Sequence, residues 1–312
     1  MKKKVLLIGG GGTLGSYTAE ELLSLGHKVD VICLEDKKSD NESLTYIREK
    51  ADLEFLKNFL KDKKYDGIVN FLHYQDEAAY APYHELLTKK CEHLIFLSSY
   101  RIYADLEHPI TENAQKLLDV TKDSEFLATE KYALSKAKCE RYLNNNSLKK
   151  NWTVVRPVIS FSERRFDLVT RSNREVIEAA EKGEALTLPS ECKNLRAALT
   201  WAGNSGKMIA HLLFKEGVMG EAYTVADGEN LTWGEIADIY SEVFGTQFSW
   251  VDTKTYLLDM EKQGKEKWIL LYDRLYDRFI DNSKILKATN LKKGDFKSIK
   301  EGLEIEYAKI KR

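Results

Sequence analysis

The chain has 312 residues, enough for one large domain or two smaller ones. Its 48 lysines and arginines nearly balance its 49 aspartates and glutamates, so the formal net charge is −1 at pH 7. This balance argues against a nucleic-acid partner, because nucleic-acid-binding proteins usually carry a basic excess. The four cysteines, Cys33, Cys91, Cys139 and Cys192, are far apart and form no C-x-x-C pair. We therefore expect free thiols in a reducing compartment and no metal site.

The amino terminus begins with a charged MKKK segment, followed by a short apolar run from Val5 to Ile8. That run is too short for the hydrophobic part of a signal peptide, and no other stretch approaches the length of a membrane span. The sequence therefore predicts a cytoplasmic protein with no membrane partner, and the apolar run is interpreted as the first β-strand.

The first half of the chain alternates apolar strands with helical patterns. The predicted strands cover residues 5–9, 29–33, 44–49, 67–72, 93–99 and 153–158, and the predicted helices cover residues 14–25, 53–62, 76–89 and 125–147. This alternation implies right-handed crossovers and an α/β fold, a doubly wound parallel sheet of the Rossmann type with helices on both faces. Its ligand crevice is expected at the carboxyl ends of the strands.

The pattern changes after the sixth predicted strand. We predict a dinucleotide-binding Rossmann domain over residues 1–160 and a smaller, mixed but mainly helical substrate-binding lobe over residues 161–312. A strand near residues 221–226 is expected to return to the first domain. Residues 255–280 are predicted to be helical, and the repeat LYDRLYDR at 271–278 is interpreted as a half-buried surface helix.

The first strand runs into a glycine-rich turn, Gly9-Gly10-Gly11-Gly12-Thr13-Leu14-Gly15, and a helix follows. Glycines let the backbone approach a pyrophosphate closely, while the start of the helix offers free N–H groups and partial positive charge. The turn fits two cofactor fingerprints, G-x-G-x-x-G from Gly10 and G-x-x-G-x-x-G from Gly9. In either frame it predicts dinucleotide binding through Gly12, Thr13, Leu14 and Gly15.

Selectivity for the cofactor is expected from the end of the second strand. An acidic side chain there accepts hydrogen bonds from a ribose 2′-hydroxyl and repels a 2′-phosphate. Glu35 lies 20 residues after Gly15, and no arginine stands near it in the sequence, although Lys37 and Lys38 follow. The sequence therefore favours NAD without excluding NADP.

A Tyr-x-x-x-Lys pair, Tyr132 and Lys136, lies on the predicted helix that follows the fifth strand. Residues four apart share one face of a helix, and an ammonium beside a tyrosine favours the phenolate, which can take a proton from a hydroxyl. Ser99 lies at the carboxyl end of the fifth strand, where its hydroxyl can bridge a substrate oxygen and the tyrosine. These three side chains are the predicted catalytic set.

Taken in this order, the motifs resemble those of the extended short-chain dehydrogenase/reductases, the NAD-dependent epimerase/dehydratase family. The resemblance rests on the glycine turn, S-S-x-x-x-Y at 98–103, the Tyr-Ala-Leu-Ser-Lys box at 132–136 and Val155-Arg156-Pro157, and it covers nearly the whole chain. It implies that the Gly9 frame is the working one and that Ser99, Tyr132 and Lys136 are catalytic.

The resemblance also implies positions for the rest of the cofactor site. It places Pro157 beside the nicotinamide and the strand end at Glu49 and Lys50 near the adenine. Leu72, at the end of the fourth strand, is assigned to the cofactor pocket as well. Arg196 matches the family's phosphate-binding arginine and is predicted to contact the substrate.

The chain departs from the family pattern at Tyr100, Arg101 and Cys33, among other positions. Tyr100 and Arg101 stand where nucleotide-sugar dehydratases of the family carry Asp-Glu, so dehydration by that mechanism is not expected, and Tyr100 is assigned to the substrate site. Cys33 occupies the usual acidic position at the end of the second strand, which leaves ribose selectivity to Glu35.

The predicted activity is that of an NAD(P)-dependent oxidoreductase or epimerase acting on a hydroxyl of a sugar or nucleotide-sugar-like small molecule. Arg164 and Arg165 are further candidates for substrate contact. Epimerisation and simple dehydrogenation stay open, as do a monomer and a homodimer. The alternative is a cofactor-binding regulatory or RNA-associated protein on the same fold, which the complete Ser-Tyr-Lys set and the balanced charge disfavour.

Overall fold

The computed structural model describes residues 2–146 and 150–311. Its strands are β1 (Lys4–Ile8), β2 (Lys28–Cys33), β3 (Leu44–Arg48), β4 (Tyr65–Asn70), β5 (Cys91–Leu97), β6 (Trp152–Pro157), β7 (Ile159–Phe161), β8 (Ala185–Pro189), β9 (Leu199–Trp201), β10 (Ala222–Val225) and β11 (Gln247–Val251). Its helices are α1 (Thr13–Ser24), α2 (Leu53–Phe59), α3 (Glu77–Lys90), α4 (Leu117–Val120), α5 (Ser124–Thr129), α6 (Tyr132–Asn146), α7 (Asn173–Lys182), α8 (Ala202–Leu212), α9 (Trp233–Phe244), α10 (Thr253–Lys262), α11 (Ser283–Thr289) and α12 (Ile299–Ile310).

Seven strands form one parallel sheet in the order β10-β6-β5-β4-β1-β2-β3. One face is packed by α1, α8 and α11, and the other by α2, α3 and α6. Because helices cover both faces, the central strands are continuous apolar runs, and the last four residues of β1 are buried. The predicted doubly wound fold is confirmed. Its strand order reverses between β1 and β4, directly beside the glycine turn.

The sequence predicts one long helix over residues 125–147, and the structure has two, α5 and α6. The chain is extended at Glu130, with φ −70° and ψ 121°. The Glu130 carboxylate accepts hydrogen bonds from the backbone N–H groups of Ala133 and Leu134 at 2.9 and 3.1 Å. An acidic side chain satisfies the free amides at the start of a helix, so α6 begins at Tyr132. Residue 147, the last of the predicted helix, lies outside the described residues.

The second half of the chain adds two small parallel pairs, β7 with β9 and β8 with β11. The strand β10 joins the main sheet beside β6. A large buried cluster joins the two halves of the chain. It includes Tyr103, which precedes residue 160 in the sequence, and Phe161 and Trp233, which follow it. The division into domains at residue 160 stays a prediction.

Within residues 2–146 and 150–311, no helix combines the length and the apolar composition that crossing a membrane requires.

The interpretation of LYDRLYDR as a half-buried surface helix is wrong. Residues 270–274 form one wide helical turn, and Tyr272 within it has non-helical backbone angles. Arg274 and Arg278 are only 2% and 1% exposed. They are buried because both pair with the carboxylate of Asp273, which is itself inside the protein. The helical spacing of charged residues in a sequence does not indicate whether they will be buried in ion pairs.

Candidate active site

Two adjoining pockets form a groove at the carboxyl ends of the central strands. The inner pocket has a volume of about 560 Å³ and the outer pocket about 530 Å³, and the two share Gly9 and Gly12. The predicted residues that line the inner pocket are Gly9, Gly12, Thr13, Leu14, Gly15, Ser99, Tyr100, Tyr132 and Pro157. Those that line the outer pocket are Gly9, Gly12, Glu35, Glu49, Lys50 and Leu72. Lys136 and Arg196 line neither of these two pockets.

The glycine turn has a physical reason for most of its glycines. Gly9 has a φ of +71°, which side chains disfavour, and a Cβ on Gly15 would lie 2.3 Å from the Gly10 carbonyl oxygen. A Cβ on Gly12 would meet no atom within 4 Å, because this residue faces the open groove. Gly12 also precedes α1 without any side-chain cap. The first amides of the helix are therefore left for solvent or a ligand.

The outer pocket holds Glu35 at the end of β2. The Glu35 carboxylate lies 3.8 Å from the guanidinium of Arg164, which donates to the Gly11 carbonyl at 3.1 Å. Lys37 donates to the same carbonyl at 2.7 Å. No arginine lies near Glu35 in the sequence, but Arg164 lies beside it in the structure, so the lack of a nearby arginine no longer supports the preference for NAD. Arg164 comes from the segment after β7, and only the fold brings it to this end of the groove.

Lys136 lies behind the wall between the two pockets. Its ammonium donates to the Leu97 carbonyl at 2.6 Å and to the Leu72 carbonyl at 3.3 Å. It therefore links the last residue of β5 to the segment that follows β4. Lys136 is buried, and this burial lowers its pKa to about 8. The side chain thus braces the strand ends on which the groove is built.

Tyr132 is the first residue of α6, and its side chain is 39% exposed in the inner pocket. Its ring stacks on His73 at a centroid distance of 5.5 Å and lies 5.2 Å from the guanidinium carbon of Arg101. Its hydroxyl makes no hydrogen bond to any described residue. Ser99 is buried, and its hydroxyl accepts the backbone N–H of Arg101 at 3.2 Å. Ser99 and Tyr132 therefore line one pocket and Lys136 lies outside it, and no hydrogen bond joins the three predicted catalytic side chains.

The helix that carries Tyr132 and Lys136 is anchored by Glu140, one turn further along. The Arg156 guanidinium donates to both Glu140 oxygens, at 3.0 and 2.7 Å, and Lys116 adds a third bond at 3.0 Å. Burial alone would raise the pKa of Glu140, but the charge of Arg156, assisted by Lys116, holds it at about 2. Because Arg156 lies in β6 directly before Pro157, this ion pair ties α6 to the sheet beside the pocket.

The inner pocket contains three arginines, Arg101, Arg165 and Arg274. The sequence marks Arg101 only as a departure from the family pattern and places Arg274 on a surface helix. The Tyr100 hydroxyl donates to Asp273 at 2.7 Å and is buried with it. The position of Arg101, a few residues after the end of a predicted strand, could have marked it as a pocket residue. No local feature of the sequence marks Arg274 in this way.

Arg196 is placed elsewhere. Its guanidinium and its backbone N–H both bind the carboxylate of Asp277, and its guanidinium carbon lies 4.1 Å from the centre of the Phe279 ring. The structure therefore does not bring Arg196 to the other predicted site residues. Its contact with a substrate stays a prediction.

Comparisons with known proteins concern the family and the fold of this chain. The family model for the NAD dependent epimerase/dehydratase family matches residues 5–226. No curated protein sequence matches the chain significantly.

Among solved structures, the chain is similar to an epimerase from Methanothermobacter thermautotrophicus, with 15% identity, a TM-score of 0.71 and coverage of 98% of this chain and 91% of that one. It is also similar to UDP-glucuronic acid 4-epimerase from Bacillus cereus in complex with UDP-glucuronic acid and NAD, with 16% identity, a TM-score of 0.69 and coverage of 99% of both chains. A third is UDP-glucose 4-epimerase from Stenotrophomonas maltophila with bound NAD and formylated UDP-arabinopyranose, with 13% identity, a TM-score of 0.72 and coverage of 98% and 97%.

At such low identities these structures establish the fold alone. The family model carries more weight, because it spans the glycine turn, the strand end at Ser99, the start of α6 and the return of β10 to the sheet. By this match the chain belongs to the NAD dependent epimerase/dehydratase family.

Proposed function

We propose that this protein is an NAD-dependent epimerase or oxidoreductase that acts on a hydroxyl of a sugar or nucleotide-sugar-like molecule. The observation that carries the proposal is the continuous groove. It runs from Glu35 in the outer pocket, over Gly12, to Ser99 and Tyr132 in the inner pocket. The glycine turn would hold the pyrophosphate of a dinucleotide, and the inner pocket with Tyr132 would hold its nicotinamide end.

The residues present fit such a cofactor. The backbone at Gly12 faces open space, and the start of α1 offers uncapped amides to a pyrophosphate. The outer pocket combines apolar side chains, among them Ile32 and Leu72, with the ribose-binding candidate Glu35. When bound, NAD would supply a hydride acceptor next to the substrate carbon.

The chain's own groups would supply the proton chemistry. Tyr132 is exposed in the pocket, and its hydroxyl makes no hydrogen bond to any described residue, so in its phenolate form it can take the proton of a substrate hydroxyl. Ser99, at the end of β5, would hold the developing carbonyl oxygen. Lys136 and the pair of Glu140 with Arg156 would keep α6 and the strand ends in register for this contact.

Dehydration is not part of the proposal. The family's dehydratases carry Asp-Glu at the positions of Tyr100 and Arg101, as acid and base for removing water. Here the Tyr100 hydroxyl is committed to Asp273, and a guanidinium cannot serve as a base because it stays protonated.

The test uses protein loaded with NAD and incubated with UDP-glucose and with UDP-glucuronic acid. Formation of bound NADH is followed by absorbance, and the products are identified by mass spectrometry and NMR. We expect NADH or an epimer with at least one sugar, no dehydrated product, and a rate about 100-fold or more lower in Tyr132→Phe, the usual scale of general acid–base catalysis.

Tyr307→Phe is the matched control, because Tyr307 has the same spacing to a lysine, Lys311, but lies in α12 away from the groove. A Tyr132→Phe protein that works at the wild-type rate would disprove the catalytic assignment. Tight NAD binding without turnover of any sugar would favour the regulatory alternative.

A further inference from the structure

Arg101 has hydrogen-bonding capacity that the protein does not use. Its guanidinium carries five N–H donors. The hydrogen bond to the Glu130 carboxylate is long, at 3.4 Å. The Nε atom is buried and has no hydrogen-bond partner among the described residues. Leaving buried donors unpaired costs free energy, so this side chain is suited to a ligand.

The carboxylates beside Arg101 are already engaged. Glu130 caps the start of α6 through two backbone amides. Asp273 lies 3.8 Å from the Arg101 Nε but accepts hydrogen bonds from Arg274 and Arg278. Among the three arginines around Asp273, the Arg101 guanidinium makes one hydrogen bond, whereas those of Arg274 and Arg278 make three each. Arg101 is therefore the charged group whose hydrogen-bonding capacity is least used within the protein.

The position of this charge restricts what the ligand can be. The guanidinium carbon lies 5.2 Å from the centre of the Tyr132 ring, and Arg101 lines the same pocket as Ser99. An oxyanion bound to a guanidinium lies about 2.8 Å from its nitrogens. Such an anion would therefore lie in the pocket that Tyr132 and Ser99 line, close to the proposed reaction site.

We propose that Arg101 binds a carboxylate of the substrate, and that the preferred substrate class is a sugar acid of the uronate type. The proposal rests on the function proposed above. A planar guanidinium matches a carboxylate with two parallel hydrogen bonds. In a nucleotide uronate that reacts at C4, the carboxylate is attached to the neighbouring carbon, whereas the diphosphate is attached across the ring at C1. A carboxylate therefore fits a site next to the reacting hydroxyl, and the diphosphate does not.

The experiment measures binding by calorimetry to NAD-loaded protein, with UDP-glucuronic acid, UDP-glucose and UDP as probes. The two sugars differ in the carboxylate alone. We expect the wild type to bind UDP-glucuronic acid about 10- to 100-fold more tightly than UDP-glucose, the scale of a charge-assisted hydrogen-bonded pair. Arg101→Gln should abolish this preference and leave the affinity for UDP-glucose unchanged. Arg101→Lys keeps the charge but loses the planar fork, so it should keep only part of the preference.

Arg174→Gln is the control for net charge, because Arg174 is an exposed residue of α7 that pairs with Glu178. It should keep the full preference. The affinity for NADH and the melting temperature of each variant check that the protein is folded, and the comparison of the two sugars in the wild type needs no variant.

A wild type that does not bind the uronate more tightly than the hexose overturns the proposal. So does a preference that survives in Arg101→Gln, or an equal loss for both sugars and UDP, which would make the diphosphate the ligand. Turnover of UDP-glucose without any preference for the carboxylate would disprove the role of Arg101 but support the proposed enzymatic function. If binding depends on the carboxylate but neither sugar reduces the bound NAD to NADH, the anion site at Arg101 is supported and the proposed enzymatic function is not.

Discussion

The outer and inner pockets meet at Gly9 and Gly12, but their walls come from different lengths of chain. All residues that line the outer pocket lie between Gly9 and Tyr83. Those of the inner pocket extend from Gly9 to Arg274. The half of the groove proposed for the cofactor is therefore built by consecutive strand ends, whereas the half proposed for the substrate is assembled from segments far apart in the sequence.

The charges of the two pockets differ in the same way. In the outer pocket the side chains of Glu35 and Arg164 are 45% and 47% exposed, so water screens their interaction. Behind the inner pocket, Glu140 and Arg156 form a buried pair at 2.7 Å. Buried pairs are costly to break, because the remaining charge stays in the protein interior without a partner. Substitutions on the inner side should therefore have the larger effects.

The largest effect is expected for Glu140→Ala. It leaves the Arg156 guanidinium buried without its carboxylate partner and should lower the free energy of unfolding by about 3–5 kcal/mol at pH 7. Urea denaturation measures this change. Glu77→Ala, which breaks the exposed pair between Glu77 and Arg141, should cost less than about 1 kcal/mol. Equal losses in the two variants would contradict the contrast between buried and exposed pairs.

The same carboxylate predicts how stability depends on acid. The pKa of Glu140 is about 2 in the folded protein, below its ordinary 4.5. Its contribution to stability is therefore complete above about pH 4.5 and is lost as the pH falls towards 2. The stability difference between the wild type and Glu140→Gln should shrink over that interval.

A smaller effect on stability is expected for Lys136, and it should appear at alkaline rather than acidic pH. Burial lowers its pKa from 10.5 to about 8, so between these values the unfolded chain binds more protons than the folded one. The contribution of Lys136 to the free energy of unfolding should therefore rise by up to about 3 kcal/mol from pH 8 to 10.5 and be lost as the pH falls through 8.

Urea denaturation of the wild type and of Lys136→Met at several pH values measures this rise as a difference between the two proteins. Lys131→Met, at an exposed lysine just before α6, should keep the pH dependence of the wild type. Parallel curves for the wild type and Lys136→Met would show that the ammonium is not held in a buried environment.

The smallest effects are expected in the outer pocket. Glu35 should make the wild type bind NADH more tightly than NADPH, because its carboxylate repels a 2′-phosphate. Arg164 and Lys37 oppose that repulsion. Arg164→Gln should therefore strengthen the preference for NADH, and Glu35→Gln should weaken it, each by no more than about fivefold because the groups are screened by water.

Fluorescence titration with NADH and NADPH measures the preference. Arg48→Gln is the control, because Arg48 pairs with Asp36 on the surface and lines neither pocket described above. Tighter binding of NADPH than of NADH by the wild type would contradict the NAD preference, and an unchanged ratio in Arg164→Gln would mean that this arginine does not reach the ribose.

The sequence by itself determined the Rossmann sheet and the groups that follow its strand ends. The predicted strand at residues 5–9 is β1 at Lys4–Ile8, and the glycine turn joins it to α1 as expected. These features are local, since a buried parallel strand needs an apolar run and a tight turn needs glycine. The family match over residues 5–226 spans these features.

Only the tertiary structure decided which charges lie together. The helical pattern continues through Glu130, yet α6 begins at Tyr132 because this carboxylate binds its first amides. Arg164 reaches Glu35 from the segment after β7, and Arg274 is buried because Asp273 is buried with it. Periodicity reports which residues avoid water, but a charged side chain enters the interior only when a partner meets it there. For Glu35 that partner, Arg164, comes from a distant segment, and the adjacent pair of Asp273 and Arg274 is buried against the hydroxyl of Tyr100, which lies more than 170 residues earlier in the chain. No local pattern contains these long-range contacts.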